Sequence, residues 1–302
     1  MRRVPRALGD VRDVAKASVS LFDVILPTRG RAHTIGFAIE SVLRQSVADF
    51  ALEVVGDGCD DETERVILAA GDPRVRFSRF SKGMGFGYAN RNTVLRRGRS
   101  PYVAYMTDDD LLFPDHLELA LSALERPGPS LAAFRAAQVR FPDDLDPNFF
   151  PFDWHLGRFS AFLRDWFIGS ANLAHRRSLF DRLGYWDETL FRFGDREFYN
   201  RARRAGESVF IDQVTLLRFF ARQWDRRYAS LPEAPQARYA RRMGDPEWRR
   251  QLRLRAVRGP RDLTLRVSQA RDFLGFAWRS GPKFLRFAAR KAREGRRFRA
   301  SR

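Results

Sequence analysis

Three consecutive aspartates, Asp108, Asp109 and Asp110, follow the apolar run "YVAYMT" in a chain whose formal net charge is +18. Neighbouring carboxylates repel one another, so a fold either exposes such a triplet to water or neutralises it with a cation. A hard divalent ion, Mg²⁺ or Mn²⁺, takes oxygen ligands and is commonly held by one or two carboxylates together with substrate phosphates. The triplet therefore reads either as a place to hold an ion against a diphosphate or as a solvated turn before a helix. Other metal chemistry finds no support: His33, His116, His155 and His175 lack zinc-ligand spacing, and the single cysteine, Cys59, excludes an internal disulfide and any cysteine-cluster site.

The elements around the triplet position it. "LFDVILP" reads as a strand buried on both faces, delivering Pro27, Thr28 and Arg29 at its end. "AHTIGFAIESVLRQS" carries Ile35, Ala38, Ile39, Val42 and Leu43 at helical spacing. "ALEVVGD" predicts a second strand ending at Asp57, and Asp60 or Asp61 can cap a helix running to about Ala70. "RVRF" predicts a short strand, "GYANRNTVLRRG" a helix closed by Gly98, and "YVAYM" a buried strand that ends at the aspartates. This alternation predicts an α/β fold with a mostly parallel sheet between helices.

Farther on, Pro114 opens a helix to about Glu125, and "LAAFRAAQVRF" returns a strand. "FIGSANLAHRRSLFDRLGYWDE" gives a short strand and helix, "FGDREFYNRARRAG" a helix with Phe198, Ala202 and Ala205 on one side, and "ESVFIDQVTLLRFF" the last strand. The stretch "FPDDLDPNFFPFDWHLGRF" holds too many turn formers for regular structure. Ligands of a parallel sheet bind outside the carboxyl ends of its strands, where loops converge and helix N-termini favour anions. Pro27, Thr28 and Arg29, Asp57, and Asp108, Asp109 and Asp110 thus fall on loops facing one crevice.

Four segments in this order resemble the inverting family 2 glycosyltransferases of the nucleotide-sugar-binding GT-A fold: "DVILPTRGRAHTIGFAIESVLRQS", "EVVGDGCDDET", "ANRNTVLRRGRSPYVAYMTDDD" and "FGDREFYNRARRAG". The resemblance spans about Phe22 to Phe220 and implies donor contacts by Pro27, Thr28, Arg29, Asp57, Arg91, Asp108 and Asp109. Asp57 matches the acid that contacts the donor base, and Arg91 the basic residue near the nucleotide. Asp108 and Asp110 are the outer positions of the DxD triplet, and Asp109 and Asp110 are the implied ligands of Mg²⁺ or Mn²⁺. Asp195 matches the catalytic base. Two positions depart from the family pattern: Gly56 replaces the first acid of an Asp-Asp pair, and Gly194 stands where Glu often precedes the base.

The implied reaction moves a sugar from a nucleoside diphosphate, UDP being the first to try, to a hydroxyl of a glycan, lipid-linked or other acceptor. A carboxylate base takes the hydroxyl proton, and attack opposite the leaving group inverts the anomeric centre without a covalent nucleophile. Competing roles remain open at several positions. Asp195 is also a plausible helix N-cap, Arg91 a solvated helix arginine beside Arg96 and Arg97, and Asp57 a turn former. Tyr185 and Trp186 suit an acceptor pocket or the core. Glu197 is a weaker base candidate, rotated away from Asp195 on the helix.

Charge is concentrated at the end of the chain. Residues 241–302 hold 20 Lys and Arg against 5 Asp and Glu, a net +15 of the total +18. From about Gly259, Leu263, Val267, Ala270, Leu274, Ala277 and Trp278 recur near helical spacing, and Phe284, Leu285, Phe287 and Ala288 continue the stripe. A basic amphipathic helix of this kind suits an anionic membrane interface, packing on the protein, or a second subunit in a homodimer. No nucleic-acid-binding module is recognisable, and such a partner is not favoured. The expected organisation is a leader at 1–20, a GT-A domain at 21–222 and a basic helical extension at 223–302. No run of 18 apolar residues and no signal-peptide pattern occur, so the expected location is cytoplasmic, with peripheral contact to the inner face of the membrane. The competing function is a degenerate scaffold that binds membrane or nucleic acid through its tail.

Overall fold

The structure, a computed structural model, describes residues 19–139, 168–219 and 233–258. The leader, the aromatic stretch from Phe141 to Phe167 and the tail from Gly259 lie outside the described residues.

The first half alternates as the sequence predicts. Strand β1 (Phe22–Thr28) is followed by α1 (Ala32–Leu43), β2 (Phe50–Asp57), α2 (Asp61–Leu68), β3 (Val75–Phe80), α3 (Tyr88–Arg97) and β4 (Tyr102–Tyr105). Asp60 caps α2, its side chain accepting from the Thr63 amide at 2.7 Å. Gly98 follows α3 in extended backbone rather than a left-handed turn. A two-residue strand, β5 (Leu111–Leu112), intervenes before α4 (His116–Glu125), so Pro114 precedes that helix without opening it. Then come β6 (Leu131–Val139), a 3₁₀ turn (Ser170–Asn172), β7 (Leu173–Arg176), α5 (Leu179–Leu183), α6 (Gly194–Arg204), β8 (Ser208–Phe219), α7 (Pro235–Met243) and α8 (Pro246–Arg258).

Eight strands form one sheet in the order β3-β2-β1-β4-β7-β6-β8-β5. β3, β2, β1 and β4 run parallel, whereas β7 is antiparallel to both β4 and β6, and β5 is antiparallel to β8. The sheet is therefore parallel through its first half and mixed beyond it. Strand side chains alternate between two cores. Val24, Leu26, Ala104 and Met106 meet α1, α2 and α4 on one face, while Ile25, Val103 and Tyr105 meet α3, α5 and α6 on the other.

A third apolar cluster joins Phe113, Val139, Leu217 and Phe219 to Tyr239, Met243 and Leu252 of α7 and α8. The Arg253 guanidinium grips the Asp115 carboxylate in a bidentate pair, both distances 2.8 Å. The start of the expected extension is thus packed on the sheet.

Candidate active site

Because β1, β2 and β4 are parallel, their carboxyl ends lie along one edge. Ile25 pairs with Tyr105, so three residues on Thr28 lies level with Asp108. The Thr28 hydroxyl donates to Asp108 Oδ2 at 2.8 Å. Pro27 is half-buried beside it, and Arg29 is exposed.

Asp110 is buried, with 2% exposure, and is held from the far half of the sheet. Its Oδ1 accepts from the Phe219 amide at 3.0 Å, and its Oδ2 lies 3.6 Å from the Arg218 guanidinium. The loop is also fixed through its backbone, because buried Gln236 of α7 donates to the Asp109 carbonyl at 3.0 Å. The Asp109 carboxylate, in contrast, takes no hydrogen bond among the described residues. Burial raises the pKa of all three carboxyls, and for Asp109 the adjoining Asp110 and Asp108 charges add to it, well above the ordinary value.

These observations test whether a divalent ion fits. The donor set is all oxygen, which suits Mg²⁺ or Mn²⁺, and a cation would relieve the repulsion felt most by Asp109. Among the described residues no three acids or histidines converge on one ion, so further ligands would have to come from outside the side chains. An ion held by one or two carboxylates and a diphosphate meets that condition.

Asp57 is 6% exposed and already engaged. Its Oδ1 accepts from the Gly83 amide and from Asn90, each at 2.7 Å, and its Oδ2 lies 2.7 Å from Lys82 Nζ. The carboxylate thereby organises the loop between β3 and α3. That loop ends at Gly87, whose φ of 69° suits glycine and whose missing side chain leaves room for the Asp57 carboxyl group. Position 56 is closed to a larger residue as well. A Cβ there would lie 2.8–3.0 Å from the Phe77 ring and from Cys59, so an aromatic side chain occupies the space an acid would need.

Arg91 is not a solvated helix residue. It is 8% exposed, its Nη2 donates to the Phe86 carbonyl at 2.9 Å, and its Nε has no hydrogen-bond acceptor. The guanidinium lies 5.1 Å from the Tyr88 ring centroid and 5.5 Å from that of Trp186. Burial pulls its pKa down, while Tyr88, Asp195, Asp57 and Asp108 favour its charged form. Three acids from separate segments, Asp195, Asp57 and Asp108, thus act on one buried cation.

Asp195 is the second residue of α6, not its N-cap. The cap position is Phe193, with φ 65°, an unfavourable conformation for a bulky residue and one found where structure is held for function. Asp195 Oδ2 accepts from the Ser170 amide at 3.1 Å and Oδ1 from the Arg196 amide at 2.9 Å. A carboxylate has about four acceptor positions, so these two bonds among the described residues do not exhaust it. Glu197 pairs with Arg201 at 2.9 Å one turn along the helix, which ties it to structure. Trp186 is 2% exposed and belongs to the core, with Tyr185 packed against that cluster.

The glycosyl transferase family 2 model matches residues 23–186, more than half of the chain. The chain belongs to glycosyltransferase family 2. The matched segment contains Thr28, Asp57, Arg91 and the aspartate triplet, and it stops before Asp195. Among curated relatives, the chain is 30% identical over 106 residues to an Escherichia coli UDP-Glc:alpha-D-GlcNAc-diphosphoundecaprenol beta-1,3-glucosyltransferase, WfgD, covering 34% of this chain and 41% of that protein. It is 33% identical over 111 residues to E. coli chondroitin synthase, covering 36% and 16%. The chain therefore matches less than half the length of either relative. Solved structures share the fold. S. aureus TarS in complex with UDP-GlcNAc aligns with a TM-score of 0.53 and 18% identity over 66% of this chain and 58% of that one. The Pyrobaculum calidifontis mannosyltransferase PcManGT, in complex with GDP-Man and Mn²⁺, aligns with a TM-score of 0.52 and 16% identity over 87% and 81%.

Within this family 2 fold, sequence reasoning left out Lys82 and Asn90 on Asp57, Ser170 on Asp195, and Arg218 on Asp110. Asn90 sat inside a quoted motif and was within reach. Arg218 and the Ser170 amide come from distant segments that only the folded sheet brings near.

Proposed function

We propose that the protein transfers a sugar from a nucleoside-diphosphate sugar, UDP-linked by preference, to an acceptor hydroxyl with inversion at the anomeric carbon. The observations supporting this reading are the Thr28 hydroxyl on Asp108 at the carboxyl ends of β1 and β4, and the buried Arg91 guanidinium, whose charged form Asp195, Asp57 and Asp108 all favour. The named activities of WfgD and the UDP-GlcNAc complex of TarS support a UDP-sugar donor.

In this reading Pro27, Thr28 and Arg29 border the nucleotide, Asp57 sets the loop against the base, and Arg91 faces the diphosphate. Asp109, with Asp108 beside it, would hold Mg²⁺ or Mn²⁺, and Asp110 serves mainly to fix the loop through Phe219 and Arg218. A bound divalent ion would supply charge neutralisation to the departing diphosphate. Asp195 accepts the proton of the acceptor hydroxyl as that oxygen bonds to the anomeric carbon, and the bond to the diphosphate oxygen breaks on the opposite face. The nucleoside diphosphate leaves with the bonding pair.

The acceptor approaches past an apolar rim. Met84 is 57% exposed, Phe86 48% and Phe191 59%, and the Arg192 guanidinium lies over both phenyl rings. This surface suits an acceptor with an apolar portion, such as a lipid-linked glycan, presented at a membrane surface. No helix among the described residues is long and apolar enough to cross a membrane, so contact through the basic extension would be peripheral.

The test is a panel of UDP- and GDP-sugars incubated with the full chain and Mn²⁺, with nucleoside diphosphate release as the readout. Release from one UDP-sugar, stopped by chelator, supports the reading. No release from any donor, with or without glycan and lipid-linked acceptors, contradicts it.

A further inference from the structure

The helix that carries Asp195 is anchored by a side chain of α3. The Gly194 amide, a helix-terminal donor with no partner in its own helix, donates to the Tyr88 hydroxyl at 2.8 Å, across 106 residues of sequence. The contact depends on glycine. A Cβ at position 194 would lie 2.6–2.9 Å from Cζ, Cε1 and Cε2 of Tyr88, so the ring lies directly against the backbone of the first turn.

Tyr88 is itself immobilised. It is 3% exposed and stacks on Trp186 at 5.6 Å, and Trp186 stacks on Phe198 of α6 at 5.8 Å with rings 7° apart. Asn92 Nδ2 donates to the Trp186 carbonyl at 2.8 Å, joining α3 to the same stack. The phenol is thus clamped between α3, which carries Arg91, and α6, which carries Asp195. Burial and the Asp195 charge push its pKa up to about 12, so the hydroxyl keeps its proton at neutral pH.

We propose that Tyr88 is a positioning residue for the reaction. By holding the Gly194 amide it fixes the first turn of α6, and with it the Asp195 carboxylate, at the place where an acceptor hydroxyl arrives. The inference rests on the reading of Asp195 as base. Tyr88 touches the backbone next to the base and acts through it.

Tyr88→Phe keeps the ring, its stack and the fit against Gly194, and removes only the hydroxyl. Turnover of a UDP-sugar with Mn²⁺, read as UDP release by the full chain, is expected to fall about tenfold or more, because small displacements of a catalytic group are costly. The KM for the donor and the melting temperature should stay near the wild-type values. Gly194→Ala, which pushes the turn away from the ring, should give the same split between kcat and KM. Wild-type turnover in Tyr88→Phe would overturn the inference, as would loss of kcat in step with donor affinity. A wild-type chain that turns over no sugar nucleotide would contradict the transferase reading and take this inference with it.

Discussion

Thr28 and Asp108 lie 80 residues apart in sequence, yet the hydroxyl of one meets the carboxylate of the other at 2.8 Å. The parallel register of β1 and β4 imposes that meeting, and it joins the loop after β1 to the aspartate triplet. Thr28→Val preserves shape and deletes the donor, leaving a partly buried carboxylate without its hydrogen bond. We predict a loss of about 1–3 kcal/mol in urea unfolding. Metal-dependent nucleotide affinity should fall as well. Unchanged stability and affinity would show that the bond is incidental.

The base assignment predicts a separation of binding from chemistry. Asp195→Asn keeps the size and one acceptor oxygen but cannot take a proton at neutral pH. Donor affinity measured by calorimetry should remain, while sugar transfer falls by about 10²–10⁴-fold. Near-normal transfer would remove Asp195 from the mechanism.

Gly87 predicts a linked defect. Its φ of 69° and the absence of a side chain allow the Asp57 carboxylate to sit against it. Gly87→Ala adds about 1–2 kcal/mol of left-handed strain and displaces Asp57. Nucleotide affinity should therefore drop by more than thermal stability alone explains, since in the proposed function the reorganised loop borders the base. Equal affinity in the variant would argue that Asp57 has no part in the nucleotide site.

Two buried histidines give a pH dependence of defined sign. Burial lowers the pKa of both His116 and His175 to about 4 from the ordinary 6.5. Between those values the unfolded chain binds more protons than the folded one, so their contribution is full above pH 6.5 and is lost as pH falls towards 4. Linkage bounds the effect at about 3 kcal/mol for each histidine. The raised carboxyls of Asp108, Asp109 and Asp110 act in the opposite sense, binding protons in the folded state. The histidine part is isolated by comparing unfolding at pH 7 and pH 5 in wild type and His175→Gln, whose loss of stability on acidification should be smaller.

Much of the scaffold was legible in the sequence because it obeys simple periodicities. The runs at Phe22–Thr28 and Phe50–Asp57 are mostly apolar because helices cover both faces, and Asp60 announced α2 as a cap. What escaped depends on long-range pairing. Leu111–Leu112 is too short to signal a strand and exists because β8 offers a partner. The antiparallel β7 breaks the parallel order without any local mark. At the site, residue types marked the strand ends, but the engagement of each side chain could not be read. The contacts of Asp110 with Arg218 and the Phe219 amide come from β8, far along the chain, and leave no local mark, and Asp195 reads as a possible cap in sequence whereas the helix begins one residue earlier at Gly194. Glycines 56 and 194 read as losses in sequence, whereas in the fold each accommodates an aromatic ring, Phe77 and Tyr88 respectively.

In the proposed function, nucleoside diphosphate binding runs through a divalent ion held chiefly at Asp109. It is tested most directly by calorimetric titration of UDP into the full chain with Mn²⁺ and with chelator, for wild type and Asp109→Asn. The account predicts binding that requires Mn²⁺ and weakens by about tenfold or more in the variant, the loss of one charged ligand being worth at least 1.4 kcal/mol. UDP binding that ignores both chelator and the substitution, or no binding at all, would contradict it.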